Sequence, residues 1–347
     1  MLVGVGLIAV WSFSPPNSDF FNRQLIWTLI GLLSFFIFSA IDYRIFKNHG
    51  LLLVAVYVGA IIFLTVLLLI APETRGIKAW FQIGGAGIQP TEPMKLVLAL
   101  VLAKYFSRRH IEIAILRHLL ISGFYAGLAV ALVLLQPDLG SSLILAAIWL
   151  AVVCFSGIKF RHLVIFFVIA AVFLSFAWFS VLAPYQKARI TSFFNPYRDP
   201  KGAGYNIIQS MIAVGSGQFW GKGIGYGTQS HLNFLPEVET DFIFAGFAEE
   251  TGFAGAMLLL GLFGVLFWRI FAIGLGAQDN FSKIFVLGFA ALLFSETFIH
   301  VGMNLGLLPV TGIGLPLVSY GGSNLVTTLV GLGILQSIRI NSRAEIG

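Results

Sequence analysis

Apolar runs of helical length follow one another through almost the whole chain, and that repetition decides what it can fold into. About 20 apolar residues in a helix cross the roughly 30 Å hydrocarbon core, and a helix satisfies its own backbone there. Only 10% of the residues are charged and 58% are hydrophobic, where soluble domains carry about 25% charged residues. The chain therefore reads as an all-α polytopic membrane protein, a single transmembrane domain over 1–347. Ten spans are predicted, at about 1–13, 24–41, 51–72, 92–106, 119–135, 140–158, 162–183, 241–272, 283–307 and 315–338. Met1 to Phe13 lacks a basic leading segment and reads as a short first span, not as a cleavable signal. No appended soluble domain is expected. The fifth and sixth spans meet at Gln136-Pro137-Asp138-Leu139-Gly140, where Pro137 interrupts the helix and Gly140 permits a sharp turn.

A net charge of +6 would suit a nucleic-acid partner if it were concentrated in one patch. Here the basic residues sit in short clusters between the spans, which is how charge sets topology. Arg44, Lys47, Lys104, Arg108, Arg109, Arg117, Lys159, Arg161, Arg269, Lys283, Arg339 and Arg343 share one set of connections, against Arg23, Arg75 and Lys78 in the short connections opposite. That asymmetry places the first set and both termini in the cytoplasm. It leaves a long extracytoplasmic loop, about 184–240, between helices 7 and 8. Cys154 stands alone in an apolar run, so no disulfide framework and no cysteine metal site is expected.

Long loops inside compact proteins usually carry function, and this one has the residues for it. Tyr205 to Val214 suits a short amphipathic helix at the interface. The glycines that follow, Gly215 to Gly227, fit neither phosphate-loop spacing, and no strand precedes them. No nucleotide or organic cofactor is expected, and the glycines read as tight turns beside a ligand or as a flap. The loop then ends in Pro236-Glu237-Val238-Glu239-Thr240-Asp241-Phe242, carboxylates pressed against a hydrophobic run. Ionised groups at that depth are costly and usually functional. Lys187, Arg189, Arg198, Lys201 and Lys222 could hold a diphosphate, and a carboxylate could deprotonate an attacking hydroxyl. Together they suit sugar transfer from a lipid-diphosphate donor. Residue types alone leave a plainer reading open, in which the acids meet a helix dipole and the bases are solvated.

Within the spans, Glu92 and Lys95 are spaced i, i+3 and can pair on one helix face. Glu249 and Glu250 lie two turns into the eighth span, where a structural role is favoured. Glu296 and His300 are spaced i, i+4 in the ninth. A proton relay is the sharper reading of that pair, and a satisfied ion pair or hydrogen bond is the preferred one. Ser319-Tyr320-Gly321-Gly322-Ser323 reads as close helix packing.

Seven segments, in order along the chain, resemble the SEDS family (shape, elongation, division and sporulation), which includes RodA, FtsW and SpoVE. They are Arg75-Gly76 with Trp80; Gln89-Pro90-Thr91-Glu92 with Lys95; Gln136 to Gly140; Leu235-Pro236-Glu237 with Thr240-Asp241-Phe242; Ala248 to Gly252; Gly306 to Gly312; and Ser319 to Ser323. The resemblance implies ten helices and a peptidoglycan glycosyltransferase that polymerises lipid II in the bacterial cytoplasmic membrane, with its active site on the outer face. It implies Asp241 as catalytic base and Glu92 with Lys95 as a pair lining a central cavity. It also implies a class B penicillin-binding protein, a transpeptidase, as partner within the elongation machinery. Val310-Thr311-Gly312-Ile313 and Ile41-Asp42-Tyr43 look more like the RodA branch. Alongside these stand Arg75, Lys187, Arg189 and Glu237 as expected substrate contacts, with Mg2+ or Mn2+ as a divalent cation that can share the neutralisation of a diphosphate. A lipid II flippase, or a division-type polymerase like FtsW, is the alternative. The chain departs from the family at Gly314, where proline is usual, and at Glu296 and His300, where glutamine and asparagine are expected.

Overall fold

The computed structural model describes residues 1–14, 19–71, 80–83, 86–107, 116–157, 191–200, 204–232 and 234–344, together with residues 161, 162, 164, 165, 168, 175, 179, 180, 187 and 202. The described helices are α1 (Leu2–Phe13), α2 (Phe20–Ala40), α3 (Arg44–Asn48), α4 (Gly50–Ile70), α5 (Thr91–Ser107), α6 (Leu116–Leu135), α7 (Leu139–Phe155), α8 (Tyr205–Ser216), α9 (Thr228–His231), α10 (Ile243–Gly276), α11 (Asn280–Asn304) and α12 (Gly322–Ala344). Among these, α2, α4, α6, α10, α11 and α12 contain stretches long and apolar enough to cross a membrane, and α1 and α7 are shorter apolar helices. The protein is thus an integral membrane protein built from helices. Most of the predicted seventh span, 162–183, lies outside the described residues.

Several helix ends differ from the sequence expectation by a few residues, and three of the shifts have a local reason. The eighth helix begins at Ile243, because residues 236–242 form turns, and it is broken at Gly252, whose φ of 69° and ψ of −169° are not helical. The ninth ends at Asn304, where Gly306 at φ 71° turns the chain away. The tenth begins at Gly322, after the turns of 316–321. An antiparallel hairpin, β1 (Phe81–Ile83) with β2 (Ala86–Ile88), was not anticipated; Phe81 pairs with Ile88 and Ile83 with Ala86.

The chain packs into two compact units. The first comprises Met1–Phe21, Ile158–Phe263 and Thr297–Tyr320; the second comprises Asn22–Gly157, Gly264–Glu296 and Gly321–Gly347. In the second, α5 is almost wholly buried, and small residues let helices approach it. A Cβ on Gly288 of α11 would sit 3.3 Å from that of Ala99. Asp138 caps α7 by accepting the amide of Ser141 at 2.9 Å. Outside the spans, Asp279 accepts hydrogen bonds from the Tyr43 hydroxyl at 2.7 Å and the Ser282 hydroxyl at 2.8 Å, with Lys47 at 3.7 Å. Burial works to raise the Asp279 pKa, but these bonds and the lysine outweigh it and hold the carboxyl below its usual value.

Candidate active site

In the first unit, Leu235 to Phe242 connects the glycine-rich loop to α10 through a single strained turn. Glu237 adopts φ 52°, the left-handed region that non-glycine residues rarely enter. Its carbonyl accepts the amides of Thr240 (3.2 Å), Asp241 (3.0 Å) and Phe242 (3.3 Å). Val238 and Phe242 are buried, whereas Asp241 is half-exposed. Asp241 therefore stands just ahead of the helix and not within its first turn. Burial raises the pKa of the neighbouring Glu239; a backbone hydrogen bond opposes it and the nearby Glu237 adds to it.

A second, non-helical segment, residues 305–320, braces this turn. Ser319 donates its hydroxyl to the Thr240 carbonyl at 2.7 Å and accepts the Leu315 amide at 2.7 Å. The Tyr320 amide donates to the Glu239 carbonyl at 2.8 Å. Asn304, fully buried at the end of α11, donates to the carbonyls of Asp241 (3.0 Å) and His300 (2.8 Å) and accepts the Ala245 amide (3.0 Å). His300 Nδ1 lies 2.7 Å from the Ile313 carbonyl and holds the 310–313 stretch in place. Gly312 in that stretch adopts φ 79°. A Cβ there would lie 3.7 Å from Asp241 Oδ2, so this stretch passes beside the carboxylate, and the positive φ favours glycine at 312.

Glu249 and Glu250 fasten the glycine-rich loop. The Glu249 carboxylate, fully buried, accepts from Lys222 Nζ (2.7 Å), the Gln229 amide (3.0 Å), and both the amide (3.1 Å) and hydroxyl (3.0 Å) of Ser230. Glu250 accepts from the Ser12 hydroxyl (2.6 Å) and the Gly225 amide (2.9 Å), with His231 Nε2 at 2.9 Å. Lys222 is committed to this clamp.

The second unit holds a separate ionic cluster. Lys95, almost fully buried, donates to Glu92 at 2.7 Å and to Glu296, and Asn324 donates to Glu92 at 2.8 Å. The Glu296 and His300 side chains thus serve different partners, Lys95 and Ile313. Of the expected diphosphate contacts, Lys187 lies in the first unit with its carbonyl bonded by Thr191, whereas Arg75 and Arg189 lie outside the described residues. The sequence pointed to the acids, read Ser319 as helix packing and gave Asn304 and Gly312 no site role, whereas Asn304 and Ser319 hold the Asp241 turn and Gly312 lies beside it. Only tertiary contact distinguishes them from ordinary helix-end residues.

These features define a polytopic helical membrane protein that displays a braced carboxylate where a loop enters a span. Likeness to known proteins gives the class its name. The family model FtsW/RodA/SpoVE, described as cell cycle protein, matches residues 1–344, and the chain belongs to this family, the SEDS family. It is 36% identical to stage V sporulation protein E of Bacillus subtilis strain 168, over 99% of this chain and 95% of that protein. It is also 36% identical to peptidoglycan glycosyltransferase MrdB of Escherichia coli K12, over 97% of this chain and 90% of the relative. A solved chain from a peptidoglycan synthase complex, in which polymerisation and crosslinking are structurally coordinated, superposes with a TM-score of 0.83 at 32% identity, covering 98% of this chain and 95% of the other.

Proposed function

We propose that this chain is a peptidoglycan glycosyltransferase that polymerises lipid II at the outer face of the bacterial cytoplasmic membrane, with both termini in the cytoplasm and Asp241 as general base. The observation that carries the base assignment is the braced turn, which presents one half-exposed carboxylate beside Gly312 while Asn304, Ser319 and Tyr320 hold its main-chain carbonyls. Asp241 takes the proton from the GlcNAc 4-hydroxyl of the acceptor. The freed oxygen attacks the anomeric carbon of the donor's MurNAc, and the bond to undecaprenyl diphosphate breaks with its electron pair leaving on the diphosphate. An α-linked donor giving a β-linked product is a single inversion, so one base suffices. A positioned base contributes roughly 100- to 10,000-fold.

The cations assigned to the leaving diphosphate are Lys187, Arg189 and Arg75, and Glu237 is assigned as a further substrate contact. Lys222 drops out of that group, because the buried Glu249 already holds it. Among the described residues no three His, Cys, Asp or Glu side chains stand together as a metal site. A divalent cation, Mg2+ or Mn2+, would share the neutralisation of the leaving diphosphate. Glu92 and Lys95 are assigned as further substrate contacts, as the family resemblance implies, and Glu296 pairs with Lys95 in a structural role. The partner is a class B penicillin-binding protein, in keeping with the synthase complex whose chain this fold matches. Val310 to Ile313 and Ile41 to Tyr43 support an elongation role.

The test is incubation of the purified protein with lipid II in detergent, with and without Mg2+. A polymerase yields glycan strands. A transporter yields none, because detergent offers no two sides.

A further inference from the structure

The loop from Gln218 to Tyr226 places large aromatic side chains on the outside of the protein and is itself pinned to a membrane-spanning helix. Trp220 is 79% exposed and Tyr226 76%, with Phe219 and Ile224 also exposed. Loops of solvated polar residues need no such side chains, and contiguous exposed apolar surface marks a site of contact.

The depth of this loop follows from α10. Helix α10 resumes at Phe253 after the break at Gly252 and runs to Gly276. These residues span about 36 Å at 1.5 Å per residue, enough by themselves to cross the roughly 30 Å hydrocarbon core. Arg269, close to the far end, is the one charged residue among them, whereas Glu249 and Glu250 immediately precede the break. The break therefore lies at the edge of the hydrocarbon.

The loop is bonded to that edge through its main chain. Phe253 and Ala254 donate their amides to the carbonyls of Gln218 (2.8 Å) and Phe219 (3.1 Å). Lys222 and Gly223 donate theirs to the carbonyls of Glu249 and Glu250, each at 3.0 Å. Gly221 at φ 81° and Gly252 at φ 69° lie back to back, and a side chain on Gly252 would collide with the Gly221 backbone. Phe219 lies against Phe253, ring centroids 5.9 Å apart. The exposed patch is thus continuous with Phe253, Met257 and Leu258, exposed side chains of a membrane-spanning helix.

We propose that Gln218–Tyr226 is a membrane-interface anchor, with Phe219, Trp220 and Tyr226 seated among the lipid headgroups at the outer end of α10. Aromatic rings of this kind, apolar in body and polar at one tip, collect at that level. The anchor fixes the depth of the glycine-rich loop, and with it the level at which the Leu235–Phe242 turn meets a lipid-borne substrate.

The test is spectroscopic and independent of activity. In full-length protein carrying Cys154→Ser, a spin label on Trp220→Cys is examined in phosphatidylcholine–phosphatidylglycerol proteoliposomes, with a label on Met257→Cys as the deep reference. The expected result is that oxygen relaxes the label at 220 more than a water-soluble nickel chelate does, with a depth shallower than that at 257. The same ordering is expected from Tyr226→Cys, which guards against a perturbed Trp220 variant. Relaxation by the chelate equal to that of a free label in water would overturn the proposal. So would shielding from both reagents, which would show that a protein partner covers the patch.

Discussion

Asn304 donates its side-chain amide to the main-chain oxygen of Asp241 at 3.0 Å while its own carbonyl oxygen accepts the amide of Ala245 at 3.0 Å. One buried carboxamide thereby ties the end of α11 to both the turn that carries the carboxylate and the first helical residues after it. In Asn304→Ala these buried groups lose their partner, at about 1–3 kcal/mol for each unsatisfied group. The expected outcome is a lower melting temperature and a fall in kcat larger than the change in KM for lipid II. Asn304→Asp keeps the acceptor for Ala245 and recovers part of both. Steady-state polymerisation kinetics beside thermal unfolding read the two effects separately.

Glu237 contributes through its backbone first. At φ 52° a β-branched side chain is strongly disfavoured and glycine is at ease. Glu237→Gly should therefore retain the turn, and Glu237→Ile should lose activity sharply with the fold intact by circular dichroism. If the two variants lost activity equally, the carboxylate of Glu237 and not its conformation would be what the reaction needs.

Lys95 holds two buried carboxylates together. Lys95→Met leaves Glu92 and Glu296 without a cation, a loss of about 3–5 kcal/mol by analogy with broken buried pairs. Adding Glu296→Gln removes one of the stranded charges and should raise the melting temperature of the double variant above that of Lys95→Met. Thermal unfolding in detergent measures this directly, and an unchanged or lower value would show that Glu296 is not part of the pair.

Asp279 sets an acid limit on stability. Its folded pKa lies below the unfolded value, so the stabilisation it gives is present above the unfolded pKa near 3.9 and disappears as pH falls through the folded one. Asp279→Asn should lower the melting temperature at neutral pH, and the difference from the unaltered protein should shrink as pH drops below 4. A difference that stayed constant with pH would contradict the assignment.

Sequence patterning carried the architecture far and the site only partly. Apolar runs place α2, α4 and α10 because their length against the bilayer is a one-dimensional property. The broken helix at Gly252 was not legible, since a glycine in an apolar run looks like packing until Gly221 is seen against it. The β1–β2 hairpin carried a short-range signal in Gly84-Gly85, which the length of apolar runs does not register. Asp241 stood out because a carboxylate beside a hydrophobic run is costly anywhere. Asn304, Ser319 and Gly312 did not, because their importance lies in partners more than 60 residues away in sequence, such as Asp241 and Thr240.

Purified Asp241→Asn protein shows whether Asp241 accepts the proton in glycan polymerisation. Its melting temperature and its binding of lipid II are measured first, followed by polymer formation from lipid II. The expected result is a folded protein that binds substrate and makes less polymer by roughly 100-fold or more, the contribution of a positioned base. Polymerisation at the rate of the unaltered protein would contradict it.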